Sequence, residues 1–62
     1  MRFLDSAELE EKVPYSRVHI WRLERAGLFP KRIKIGPGRV AWDEDEVDEW
    51  LREKLRQRDA DA

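Results

Sequence analysis

One local pattern narrows the fold of this chain more than any other, and it occurs three times. An apolar residue and a capping residue are followed by a second apolar residue four positions after the cap. Leu4-Asp5 leads to Leu9, Tyr15-Ser16 to Ile20, and Trp42-Asp43 to Val47. Each reads as a hydrophobic staple around a helix N-cap. Glu8 after Asp5 and Glu46 after Asp43 add the glutamate of a capping box. A cap side chain accepts from first-turn amides that otherwise lack partners, which is worth about 1 kcal/mol per site. Three helices are expected.

The first is predicted over roughly 5–13, because Pro14 pushes Val13 out of the α region. Its apolar face is Leu9 and Val13, supported by Phe3, Leu4 and Ala7. The second runs from Ser16 to about Ala26, where Gly27 can take the left-handed conformation that closes a helix. Only Pro14 and Tyr15 separate these two segments, a connection tight enough for a helix-turn-helix. Over 31–42 the period changes to two, with Ile33, Ile35, Val40 and Trp42 alternating with Lys34 and Ala41 across Gly36-Pro37-Gly38. That is a two-stranded hairpin with one apolar face. The third helix starts at Asp43 and turns Val47, Trp50, Leu51 and Leu55 inward. The expected fold class is mainly α with a small β-hairpin, as a single domain over 1–58 with a frayed tail at 59–62.

Size and inventory exclude most chemistry. At 62 residues the core is thin. There is no cysteine for a thiolate, disulfide or cysteine-based zinc site, and one histidine cannot build a multi-histidine metal site. No nucleophile–base pair is visible, so no catalytic residue, metal or cofactor is expected. No apolar run approaches the ~20 residues of a membrane span, and no signal-peptide core is present. A cytoplasmic chain without a membrane partner is the expectation.

The net charge of −1 hides a division along the chain. Residues 1–42 carry nine basic and five acidic groups, and residues 43–62 carry four and nine. Within 15–39 there are seven basic groups and one acid, Glu24. A polyanion responds to the local patch and not to the total. Much of the acidic run has its own structural cause. Asp43, Glu44, Asp45 and Glu46 sit at the start of the third helix, while Arg52, Lys54, Arg56 and Arg58 come late, as the helix macrodipole favours.

At 100° per residue, Ile20, Leu23 and Gly27 share the inner face of the second helix. Arg17, Trp21 and Arg25 share the outer face, flanked by Val18 and Arg22, with Glu24 near the edge where Arg17 or Arg25 could pair with it. A helix fits the DNA major groove, and Arg bonds bidentately to guanine O6 and N7. Ser16 caps the helix, and Arg17, Val18 and His19 occupy the N-terminal end that lies closest to base edges. Arg22 and Arg25 lie further along, suited to phosphate. Two roles stay open for His19, a base contact or an edge-packed side chain, and two for Trp21, an exposed contact or an extension of the core. Lys34 and Arg39 flank the hairpin tip, and Lys31 and Arg32 precede it. They form a basic wing able to reach phosphates or the minor groove, or else cations that protect an edge strand.

Several stretches together resemble a known family: Arg2-Phe3-Leu4, Val13-Pro14-Tyr15-Ser16-Arg17, Ile20-Trp21-Arg22-Leu23, Gly27-Leu28-Phe29-Pro30, Ile33-Lys34-Ile35-Gly36, and Val40-Ala41-Trp42 with Glu46-Val47 and Trp50. In order and spacing they resemble the AlpA-like phage regulators and excisionases, relatives of the MerR-type winged-helix domain, over about residues 2–55. The resemblance implies a winged helix-turn-helix that binds double-stranded DNA and regulates promoters or directs prophage excision. It places Ser16, Arg17, Val18, His19, Trp21 and Arg22 in the recognition helix and Lys34 and Arg39 in the wing. His19 and Trp21 stand where such proteins often have Thr and Tyr, which bears on base preference. It also implies the option of cooperative binding and of contact with an integrase or other recombinase. The thin core leaves room for a dimer through the third helix, although Leu51 and Leu55 suit intramolecular packing as well, so a monomer or weak dimer is expected; RNA polymerase is the other candidate partner. The alternative reading is a protein-docking adaptor for such a partner, presented by Trp21 or the third helix.

Overall fold

The computed structural model describes residues 2–61. The chain runs β1 (Phe3–Leu4), α1 (Ser6–Lys12), α2 (Arg17–Arg25), β2 (Ile33–Gly36), β3 (Arg39–Asp43) and α3 (Glu44–Asp61). It is a small mixed α/β domain, three helices around an antiparallel sheet of strand order β1-β3-β2.

The helix starts form where the caps predict them. The Asp5 carboxylate accepts from the Glu8 N–H at 2.8 Å, and Glu8 reaches back to the Asp5 N–H at 3.2 Å, a closed capping box. Ser16 Oγ accepts from the His19 N–H at 3.1 Å. At the third start the strand passes directly into the helix, and Asp43 accepts from the Asp45 N–H at 3.1 Å in place of the Glu46 N–H that a box would use. α1 ends as Val13 turns extended (φ −125°, ψ 110°) before Pro14. α2 ends in a Schellman motif, with Gly27 at φ +75° and N–H···O bonds from Gly27 to Glu24 and from Leu28 to Leu23.

The sheet differs from the expected hairpin in two ways. A third strand is present, because Phe3 and Leu4 pair with Asp43 and Trp42. A two-residue strand has no period to read, and its signal is only the apolar pair before Asp5. The Glu44 N–H also donates to the Arg2 carbonyl at 2.9 Å, which fixes the start of α3 to the N-terminal segment. Second, the register slips between Lys34 and Gly36, leaving Ile35 as a bulge. Strict alternation fails there, and Ile35 is 51% exposed instead of lying on the apolar face. Beyond the bulge, Pro37 and Gly38 form the two-residue turn, with Gly38 at φ +67°.

The core is Leu4, Leu9, Val13, Ile20, Phe29, Trp42 and Val47, with Leu23, Val40, Trp50 and Leu51 packed on it. Phe3 and Ala7, expected to support α1, are exposed, and Ala41, expected on the outer strand face, is buried. Trp50 closes one end. Its Nε1 donates to the Leu28 carbonyl at 2.7 Å, and its ring stands edge-on to Phe29 with centroids 4.9 Å apart. α3 outruns this core, so Leu55 is 52% exposed instead of inward. The helix continues through Asp61, so the expected frayed tail is helical over 59–61, and its last residue, 62, lies outside the described residues. Arg52 with Glu49, Arg56 with Glu49 and Glu53, and Arg58 with Asp59 pair along this part of the helix.

These placements separate two leucines that sequence periodicity treats alike. Leu4→Ala empties a fully buried site and is expected to cost about 2–5 kcal/mol. Leu55→Ala is expected to stay within about 0.5 kcal/mol. Urea unfolding followed by tryptophan fluorescence measures both.

Candidate nucleic-acid interface

α2 is anchored from below and open above. Ile20 is buried and Leu23 is partly so, while Arg17, Val18, His19, Trp21, Arg22 and Arg25 are all exposed. Ser16 is exposed as well, with its hydroxyl engaged as the cap. Among the described residues, Arg22, Arg25, Lys31, Lys34 and Arg39 make no ion pair. Arg17 has one loose partner, Glu10, with Nε 3.4 Å from Oε1 and both side chains well exposed. A pair of that kind is worth at most about 1 kcal/mol.

Trp21 belongs to the exposed stripe and not to the core. It is 47% exposed, and the Arg25 guanidinium lies 4.8 Å from its ring centroid, a cation–π contact that holds the two side chains together. His19 is packed at an edge, with its ring 4.4 Å from the Tyr15 ring in a T-shaped arrangement. Tyr15 in turn meets Trp50 edge-on at 6.1 Å. The histidine is exposed but held by aromatic contact.

Arg32 differs from the other cations in and before the hairpin. Glu24, the lone acid of the basic stretch, is only 8% exposed and does not turn toward Arg17 or Arg25. It accepts from the Arg32 backbone N–H at 2.6 Å, from Nε at 3.1 and 3.2 Å, and from a terminal guanidinium nitrogen at 2.7 Å. Hydrogen bonding to this carboxylate raises the Arg32 guanidinium above its ordinary value. The guanidinium also lies 5.4 Å from the Trp42 ring centroid. Arg32 is a strut between α2 and β2, and the charge free for a ligand stays on Lys31, Lys34 and Arg39. The sequence offered one signal for this strut, a single acid inside a run of seven cations.

The acidic half of α3 is largely occupied by its own neighbours. Lys12 pairs with Asp48 and lies 3.4 Å from Glu44, and its hydrogen bond to Asp48 raises it above its ordinary value. Arg2 pairs with Glu8 and approaches Glu44 at 3.5 Å. Hydrogen bonds from Arg56 and then Arg52 lower Glu49.

What the arrangement can do is bind a polyanion: a helix bearing free cations, an aromatic and an open N-terminal turn, beside a protruding basic hairpin. Among the described residues no helix is long and apolar enough to cross a membrane. A family profile described as "Prophage CP4-57 regulatory protein (AlpA)" matches residues 2–55. The chain is also 36% identical over 63 residues to the uncharacterized protein ORF88 of Enterobacteria phage P4, covering 98% of this chain and 72% of that protein.

The strut makes a stability prediction. Glu24→Gln keeps the shape but removes the charge that the Arg32 guanidinium and N–H share. A loss of about 1–2 kcal/mol is expected, reduced from a fully buried pair because Arg32 is partly solvated. Thermal unfolding by circular dichroism measures it, and a variant as stable as the parent would contradict this role.

Proposed function

Because the chain belongs to the prophage CP4-57 regulatory protein (AlpA) family, we propose that it regulates phage or prophage genes by binding specific double-stranded DNA as a winged helix-turn-helix. The observation that carries this reading is the free charge on α2. Arg22 and Arg25 make no ion pair among the described residues and Arg17 is loosely held, and all three are exposed. In this reading α1 and α2 are the helix-turn-helix, and α2 enters the major groove with Ser16, Arg17, Val18 and His19 foremost. Arg17 is suited to a guanine edge. Arg22 and Arg25 are suited to the phosphates beside the groove, while Trp21 packs against the wall. The β2–β3 hairpin is the wing, and Lys31, Lys34 and Arg39 are its phosphate ligands. Promoter regulation and direction of prophage excision are both within reach of such a module.

A second reading, a protein-docking adaptor for a recombinase or polymerase subunit, is favoured by one observation. Leu28 is 60% exposed beside Trp50, in an open hollow whose lining includes Asp45, Glu46, Glu49, Glu53 and Lys54. The two roles use different faces and are compatible.

In vitro selection from random duplexes, followed by titration at several salt concentrations, tests the DNA reading. With roughly five phosphates neutralised, log K should fall against log salt with a slope of about −4 to −5. Arg39→Ala is expected to weaken all duplexes alike and shallow that slope by about one. Arg17→Ala is expected to lose about 1–3 kcal/mol of discrimination at one or two base positions. Binding to partner protein alone, insensitive to salt and with no duplex selected, would favour the adaptor.

A further inference from the structure

The exposed side of α2 is not uniformly cationic. Val18 and Trp21, three residues apart and so on one face, are 57% and 47% exposed. With Arg17 and Arg32 they line a shallow open hollow. Three of its four walls are restrained. Arg25 stacks on the Trp21 ring, Glu24 fixes Arg32, and Val18 is stiff at χ1 because it is β-branched. The floor is apolar and the rim is positive.

Few ligand groups suit such a site. A phosphate gains from the rim but gains nothing from apolar side chains, and it loses water against them. An ordinary apolar peptide gains from the floor but offers no acceptor to Arg17, whose own partner Glu10 is loosely held. A duplex major groove presents one apolar group amid acceptors and phosphates, the C5 methyl of thymine. From this we propose that Val18 and Trp21 form a methyl-reading site, in which a pyrimidine 5-methyl group rests on the valine and the indole while Arg17 takes the neighbouring acceptor edge. The inference rests on the DNA-binding reading and adds to it the chemical identity of one recognised group.

Deoxyuridine removes that methyl and nothing else. Within duplexes that the protein selects in vitro, replacing thymines one at a time by deoxyuridine should weaken binding about fourfold at one or two positions, the value of one buried methyl, and leave the others unchanged. In duplexes carrying a C·G pair at those same positions, 5-methylcytosine should bind better than cytosine. Val18→Ala and Trp21→Ala, both at exposed sites and checked for folding by circular dichroism, should each shrink the thymine-to-uracil ratio toward one while the salt slope stays put. If every thymine tolerates uracil, or the ratio survives in both variants, the methyl-reading site is overturned and DNA binding stands. If the parent protein selects no duplex at all, the reading beneath it fails first.

Discussion

A carboxylate removed from water is costly unless cations and N–H groups meet it, and in this chain that requirement fixes the geometry of the basic face. Glu24 projects from the inner edge of α2, and its oxygens are taken up by the backbone and side chain of Arg32. Arg32 immediately precedes β2. The hairpin therefore leaves the helix at a set distance and angle, since any other would strand a buried charge. Fork-shaped bonding from a guanidinium gives direction as well as energy. Trp42 adds a second restraint from the middle strand, lying under the same guanidinium. Among the described residues its Nε1 has no hydrogen-bond partner, a cost of about 1–3 kcal/mol that its buried ring area has to exceed.

β3 carries the other half of the construction. It pairs with β2 on one side and β1 on the other, and it runs straight into α3 at Asp43–Glu44. One five-residue strand thus ties together the N-terminal segment, the hairpin and the last helix. In so small a chain no separate layer exists to hold these elements. The core compensates with large side chains at the joints: Trp42 between sheet and helices, and Trp50 and Phe29 where the loop after α2 meets α3.

The helices were legible in the sequence because capping is local chemistry. Asp5 with Glu8, Ser16 and Gly27 each act within one turn of their own position. The exposed stripe of α2 followed from the same locality, since helical period alone separates Ile20 from Arg17 and Trp21. Four features were not legible, for physical reasons that differ. β1 is too short to show alternation, and its strand character comes from the partner it finds in β3. The bulge at Ile35 comes from closing the hairpin with a Pro37-Gly38 turn, which shifts the register after Lys34. Leu55 fits the inward stripe of α3, but the remainder of the domain does not extend far enough to cover it. Glu24 is the instructive miss: sequence neighbours suggested an ion pair on the helix surface, and the fold supplied a better partner eight residues away.

The overall charge of −1 then ceases to count against a polyanionic ligand. At physiological salt the Debye length is about 8 Å, so exposed patches further apart than that do not cancel one another. The domain extends 44 Å along its longest axis. Half of the acids of α3, Glu44, Asp48, Glu49 and Glu53, are engaged by Lys12, Arg2, Arg52 and Arg56, and its first turn is further stabilised by the helix dipole. Of the carboxylates outside that helix, Glu24 is committed to Arg32, and Glu10 reaches α2 only through its loose contact with Arg17. An exposed pair is worth less than about 1 kcal/mol, whereas a charge-assisted hydrogen bond to a buried acceptor is worth about 1.5–3 kcal/mol. A ligand that excludes water from α2 therefore displaces Glu10 with little cost, and the remaining cations have no internal competitor to release.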